Sequence, residues 1–203
     1  MGSKERRERA KENLREQIMD AARELFVSEG YESVSMRKIA DKIEYSPTTI
    51  YLYFKDKTDL LVQLCDETFA RLGERLERIR QKQEDPLLAL REAARAYVKF
   101  GLQHPNHYKI VFITPLQQEV DDERYAFEGS MGERTFNYLR ECVSACVEQK
   151  KFRPVDVETT SQALWAAMHG VTSLLVAHTD FPWVSREKLI DHVIDTMIKG
   201  LEP

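Results

Sequence analysis

Ser35-Met36-Arg37-Lys38-Ile39-Ala40-Asp41-Lys42, then Ile43-Glu44-Tyr45, then Ser46-Pro47-Thr48-Thr49-Ile50-Tyr51-Leu52-Tyr53-Phe54 is the stretch on which the reading of this chain turns. Each half opens on a serine whose hydroxyl can accept a bond from a free backbone N–H of the first helical turn. In the second half a proline follows at the first helical position, where its missing N–H costs nothing. Ile39, Ala40 and Ile43 recur at the spacing of one helical face, and Ile50 points the second helix inward. The stretch therefore predicts two short helices, Ser35–Lys42 and Ser46–Phe54, joined by a tight turn at Ile43–Tyr45.

Working outward, Leu14, Ile18, Ala22, Leu25 and Phe26 form one stripe at helical spacing that ends at Gly30, a residue able to leave a helix with positive φ. Asp56 opens a long fourth helix, with Asp59 three residues on, near its positive end. Asp85-Pro86 opens a helix over Leu87–Gln103, and His104-Pro105 a short one through Ile113. Residues from about Gln117 to Lys150 are helical in pattern, with Gly129 and Gly132 threatening a break. Asp156 begins a run to about His178, and Ser185 another to about Lys199. No alternation of period two marks a strand, and there is no internal repeat. The expected fold class is all-α.

Composition limits what such a chain can be. Of 203 residues, 42% are hydrophobic and 32% charged, which suits a globular protein with a core and a charged surface. No stretch approaches the roughly 20 apolar residues needed to span a bilayer. The first residues, MGSKERRERAKENLRE, lack an apolar segment and do not read as a secretory signal. Cys65, Cys142 and Cys146 are too few and too scattered for a disulfide framework, so a cytoplasmic location is expected. The net charge of −4 is unevenly spread: residues 1–57 carry 12 Lys/Arg against 11 Asp/Glu, and the remainder 18 against 23. Basic residues bunch at Lys4–Lys11 and at Arg37, Lys38, Lys42, Lys55 and Lys57. The first group reads equally well as a disordered arm that touches DNA or as a solvated extension of the first helix.

Ser33-Val34-Ser35-Met36-Arg37-Lys38-Ile39-Ala40, followed by Ser46–Lys57 and preceded by a helix ending Glu29-Gly30-Tyr31, resembles the DNA-binding domain of the TetR family over about residues 12–64. The resemblance implies a helix-turn-helix head over 1–56, joined by the long fourth helix to a C-terminal body of five or six helices over 57–203. It also implies a dimeric transcriptional repressor released from its operator by a small molecule. A helix fits a major groove about 12 Å wide, and its N-terminal turn, here Thr48 and Thr49, meets base edges. In TetR-like proteins the position of Arg37 often contacts a base, and those of Tyr51, Tyr53 and Lys57 contact the backbone. Arg37 can bridge O6 and N7 of guanine. Lys57, at a helix N-terminus, suits a phosphate. The candidate DNA-binding residues are Ser35, Arg37, Lys38, Ser46, Thr48, Thr49, Tyr51, Tyr53 and Lys57. Taken alone, Tyr51 and Tyr53 would equally serve to cover the core of a small head.

In the body, the segments at about 156–178 and 185–200 carry more apolar residues than one subunit's core needs, among them Ala163, Leu164, Ala166, Ala167, Met168, Val171, Leu174 and Leu175. They are the expected homodimer interface, which would present two heads to successive major grooves of a pseudo-palindromic double-stranded DNA operator. Trp165-Ala166-Ala167-Met168-His169-Gly170 resembles the Trp-His-Gly signature of one TetR C-terminal class, and His104-Pro105-x-x-Tyr108 with Phe112 is another TetR-like feature. Phe100, His104, Tyr108, Phe112, Tyr138, Trp165 and His169 are candidate ligand-lining residues, although aromatics at this spacing also make ordinary core. Cys142 and Cys146 share a helical face, and free cysteine is commonly a small buried hydrophobe. Histidine spacing offers no metal pair, and no cofactor, catalytic residue or membrane partner is called for.

An enzyme is the rival from another class, disfavoured by the absence of a phosphate loop, a nucleophile elbow and metal spacing. A TetR-like activator or ligand-independent regulator stays open. So does a helical interaction protein without DNA binding, which the intact Arg37, Thr49, Tyr51, Tyr53 and Lys57 set weakens.

Overall fold

The computed structural model describes residues 2–113 and 126–203. Its helices are α1 (Ser3–Glu29), α2 (Met36–Lys42), α3 (Pro47–Tyr51), α4 (Lys57–Lys82), α5 (Pro86–Gln103), α6 (Pro105–Phe112), α7 (Met131–Glu148), α8 (Val157–Ala177) and α9 (Arg186–Lys199). No strand occurs among the described residues, so the chain is all-α. The part of the pattern expected from Gln117 to Tyr125 lies outside them.

Most helix starts are made by the side chains that announced them. Ser35 accepts from the Lys38 N–H, Ser46 from Thr49, Asp85 from Leu87 and Asp156 from Thr159, each cap worth about 1 kcal/mol; Ser130, which the sequence reading did not single out, accepts from Glu133. At α4 the exchange is reciprocal: Asp56 accepts from the Asp59 N–H at 2.8 Å, while Asp59 reaches back to the Lys55 N–H at 2.8 Å. Ser185 precedes α9 without a capping bond from its hydroxyl.

Three boundaries differ from the sequence expectation. α1 begins at Ser3, eleven residues before the apolar stripe, because Lys, Arg, Glu and Ala are strong helix formers and no Gly or Pro interrupts them. α3 ends at Tyr51: Leu52 and Tyr53 turn back to the carbonyls of Thr49 and Ile50 at 3.2 and 2.9 Å, tightening the last turn. Gly129, at φ 79°, precedes α7, whereas Gly132 lies within it. A Cβ on Gly132 would stand 3.2 Å from the Phe69 ring, so this glycine permits close packing and does not break the helix.

The described chain forms two compact units, one drawn from Met1–Thr68 and Asn106–Ala126, the other from Phe69–Pro105 and Phe127–Pro203. The first buries Ile18, Ala22, Leu25, Phe26, Ile39, Ile50, Phe54, Leu60 and Leu64, with Ile43 and Tyr53 packed at the margin. Ile110 of α6 belongs to this same core. His107 of α6 is bonded through Nδ1 to the Thr68 hydroxyl of α4 at 3.0 Å. Arg23 of α1, nearly buried, pairs with Asp20 and with Glu67 of α4. In the α2–α3 turn Glu44 adopts φ 61°, letting the Tyr45 N–H return to the Ala40 carbonyl at 3.0 Å.

In the second unit α5 packs against α7, α8 and α9, and α8 against α7 and α9. Leu90, Val98, Val143, Leu164, Leu175, Ile190, Ile194 and Ile198 are buried there. Ion pairs tie the helices at their rims: Arg91–Asp195, Arg95–Asp191 at 2.7 Å, and Arg140 to both carboxylate oxygens of Glu158 at 2.6 and 2.9 Å. That last fork holds the Glu158 carboxyl down to about 2.

Candidate nucleic-acid interface

The short helix α3 is held by one side and leaves the other uncovered. Ile50 is fully buried, and at about 100° per residue the far side carries Thr48 and Leu52, with Tyr51 on its flank and Tyr45 in the turn before the cap. All four are exposed, Tyr51 by 54% and Leu52 by 75%. These side chains leave one side of the small helix uncovered, and Arg37 of α2 is exposed as well.

The remaining candidates divide by task. Ser35 and Ser46 spend their hydroxyls as caps. The Thr49 hydroxyl is 2.9 Å from that of Ser46, and its side chain is half-buried, so its polar group is engaged within the turn. Lys38 is paired with Glu29. Tyr53 is half-buried against the head's core. Lys57 donates to the Tyr31 carbonyl at 2.8 Å and sits 3.9 Å from the centre of the Tyr31 ring, while the Tyr31 hydroxyl meets Thr58 at 3.0 Å. This binds the α1–α2 connection to the start of α4 and leaves two of the three ammonium protons for another acceptor. Tyr45 and Leu52 are the two exposed residues that the sequence reading passed over. For Leu52 the offset of four from Thr48 was the available signal; Tyr45 lies before the cap, where helical spacing gives none.

The aromatic candidates of the body are spread over both units. Phe100 and His104 stack at 5.1 Å in the second unit, whereas Tyr108 and Phe112 stack at 5.0 Å and belong to the first. Trp165 lies 5.7 Å from His169 and 6.0 Å from Phe136. The Trp165 Nε1–H donates to the Tyr97 hydroxyl at 3.3 Å, and that hydroxyl is 3.4 Å from His169 Nδ1. Tyr97 was missed because it sits in an alanine-rich helix and its partners come from α8. Burial lowers the His169 pKa from its ordinary 6.5, favouring the neutral ring.

Tyr138 stands apart, lining a pocket of about 350 Å³ with Gly73, Glu77, Arg80, Arg134 and Thr135. Its hydroxyl is buried without an ordinary hydrogen-bond partner. The polar group that acts on it most is the Cys142 thiol, a weak acceptor, and burial pushes its pKa up. Burial also pushes Cys142 up to about 11 and Cys146 to about 12, so both are neutral thiols near pH 7. Among the described residues no group of three His, Cys, Asp or Glu side chains could hold a metal ion. No described helix is long and apolar enough to cross a membrane.

Among the described residues a capped helix-turn-helix with an uncovered α3 face is followed by helices alone. Residues 18–64 match the family model of bacterial regulatory proteins, tetR family, and residues 90–197 that of the tetracyclin repressor-like C-terminal domain. The chain belongs to the TetR family of bacterial regulatory proteins. It is 36% identical over 95 residues to the fatty acid metabolism regulator protein of Bacillus subtilis, covering 47% of this chain and 44% of that one. It is 36% identical over 78 residues to the transcriptional repressor KstR of Mycobacterium tuberculosis, covering 38% and 33%. The matched stretches thus span less than half the length of these curated relatives. FadR from Bacillus subtilis, solved in complex with stearoyl-CoA, shares the fold with a TM-score of 0.78 at 21% identity, covering 92% of this chain and 98% of that one. PfmR from Thermus thermophilus does so at 0.76 and 22%, covering 92% and 99%.

Proposed function

We propose that this chain is a dimeric repressor that leaves a pseudo-palindromic operator when a small, largely apolar ligand enters its body. The observation that carries the reading is the uncovered α3 face on a head pinned by buried Ile39 and Ile50. Residues 1–56 read DNA and 57–203 hold effector and partner. Arg37, Thr48 and Tyr51 reach bases and nearby phosphates, joined by Tyr45 and Leu52. Ser35, Ser46 and Thr49 fix the turn, and Lys38, Tyr53 and Lys57 flank it toward the backbone.

Pairing through about 156–178 and 185–200 is supported by Ala163, Ala166 and Leu174 of α8, apolar side chains left exposed within one chain. The effector reading is supported by the 350 Å³ pocket with the unpartnered Tyr138 hydroxyl and Arg80 and Arg134 on its lining. A volume of that order suits a small ligand, and the lining is mixed in charge, with Glu77 and Glu141 beside Arg80 and Arg134 and Arg80 forked to Glu77. Because FadR of Bacillus subtilis has been solved with stearoyl-CoA, long-chain acyl thioesters are a class to try, although they exceed this pocket and would need space beyond it. Release follows if the ligand binds the DNA-free conformation better than the DNA-bound one. A cytoplasmic location follows from this task.

Binding to DNA from upstream of its own gene, measured as salt is varied, tests the reading. Affinity should fall with salt, exceed that for scrambled DNA, and be lost on adding the acyl thioester. Absence of sequence preference removes the repressor reading, and ligand-strengthened binding replaces it with a ligand-dependent DNA-binding form.

A further inference from the structure

The first turns of α1 arrange their charges in sectors. At 100° per residue, Lys4, Arg7, Lys11 and Arg15 fall within an arc of about 80°, Glu5, Glu8, Glu12 and Glu16 occupy the next sector, and Arg6 and Arg9 the one beyond. Glu8 borders the basic arc. That arc is not on the outer side of the helix. It continues the line of Leu14, Ile18, Ala22 and Leu25, the face α1 presents to the head's core. From Leu14 onward this face is covered. Upstream the same face is open: Lys4, Arg7 and Lys11 are exposed and form no ion pair among the described residues, although glutamates stand one turn away.

The position of the arc follows from its last member. Arg15 donates to Gln63 of α4 at 2.8 Å, and its guanidinium lies 5.7 Å from the centre of the Phe54 ring. Phe54 closes the turn that follows α3, so the basic line leaves the head beside the C-terminal end of the recognition helix. At 1.5 Å per residue, Lys11 lies about 6 Å beyond Arg15 and Lys4 about 16 Å. That length, with the reach of the side chains, is comparable to the width of the groove that α3 would enter.

We propose that residues 3–11 form a second DNA-contacting element, a rigid strut whose Lys4, Arg7 and Lys11 bind backbone phosphates outside the groove read by α3. This rests on the reading of α3 as the recognition helix. The strut adds affinity for any sequence and no base discrimination, because its partners are phosphates. Being already helical, it loses little backbone freedom on binding, unlike a disordered arm.

The test compares the full chain with Lys4→Gln/Arg7→Gln/Lys11→Gln and with Arg6→Gln/Arg9→Gln on operator DNA. The quantity read is the slope of log affinity against log salt, alongside circular dichroism to verify helix content. Loss of three phosphate contacts from each of two protomers should reduce the slope by about 5.4, shorten the ethylation-interference footprint at its outer edges, and leave the operator-to-scrambled ratio unchanged. The double variant should keep the slope and the footprint. Equal losses in both variants, an unchanged slope in the triple variant, or a changed sequence preference would overturn the strut. An unmodified chain that shows no salt-dependent DNA binding would remove the recognition reading itself, and the strut with it.

Discussion

Replacing Lys57 with Met separates two roles that this side chain can combine. Its ammonium donates to the Tyr31 carbonyl at 2.8 Å and lies 3.9 Å from the Tyr31 ring centre. A hydrogen bond from a charged donor is worth about 1.5–3 kcal/mol, and a cation–π contact at a partly exposed site about 0.5–1 kcal/mol. Methionine keeps the stem's apolar packing, and water can reach the vacated carbonyl because the site is only half-buried. The net loss should be about 2 kcal/mol. For a chain of this size that corresponds to a fall in melting temperature of about 4–8 °C. Urea unfolding at pH 7 measures it directly, through a lower midpoint at unchanged slope. If the same Lys57 also meets a phosphate, the salt dependence of operator binding by the dimer drops by about 1.8. Unchanged stability would refute the tie to Tyr31. Lost stability with an unchanged salt slope would leave Lys57 as a clamp of the head and remove it from the DNA contacts.

Other outcomes are as specific. Arg37→Ala should relax preference at one base position by about 1–3 kcal/mol in a binding-site selection assay; a uniform loss over all sequences would make Arg37 a phosphate contact. Burial holds His169 below its ordinary pKa, so the unfolded chain takes up the proton first. The stabilising contribution is complete above pH 6.5 and is lost as pH falls from there toward the depressed folded value. His169→Gln should flatten the stability profile across that window, and an unaltered profile would show that the ring is not the group responsible. Cys142 and Cys146, pushed up to about 11 and 12, should react with a thiol reagent at pH 8 far more slowly in the native chain than in denaturant. Rapid native reaction would contradict their burial.

Much of this was readable in advance because helix ends are local chemistry. Ser35, Ser46, Asp85 and Asp156 cap where their residue types said they would, and Ile39 and Ile50 are buried as their spacing required. The extension of α1 was ambiguous because an exposed helix carries no apolar period; only its helix-forming residues argue for it. The spread of the aromatic candidates is a fact of tertiary packing. Nothing in their spacing places Trp165 beside Tyr97 or sends Tyr108 to a different unit from Phe100. Likewise, spacing alone does not show that the Thr49 hydroxyl lies 2.9 Å from that of Ser46.

All three cysteines of the chain, Cys65, Cys142 and Cys146, are buried thiols. The molecule therefore starts as a blank for spectroscopic labelling. A single cysteine placed at the exposed Glu32, outside the α3 face, would carry a spin label or fluorophore without first stripping the native thiols. In a two-fold dimer two such labels report the separation of the heads, which operator binding should fix and an effector should shift.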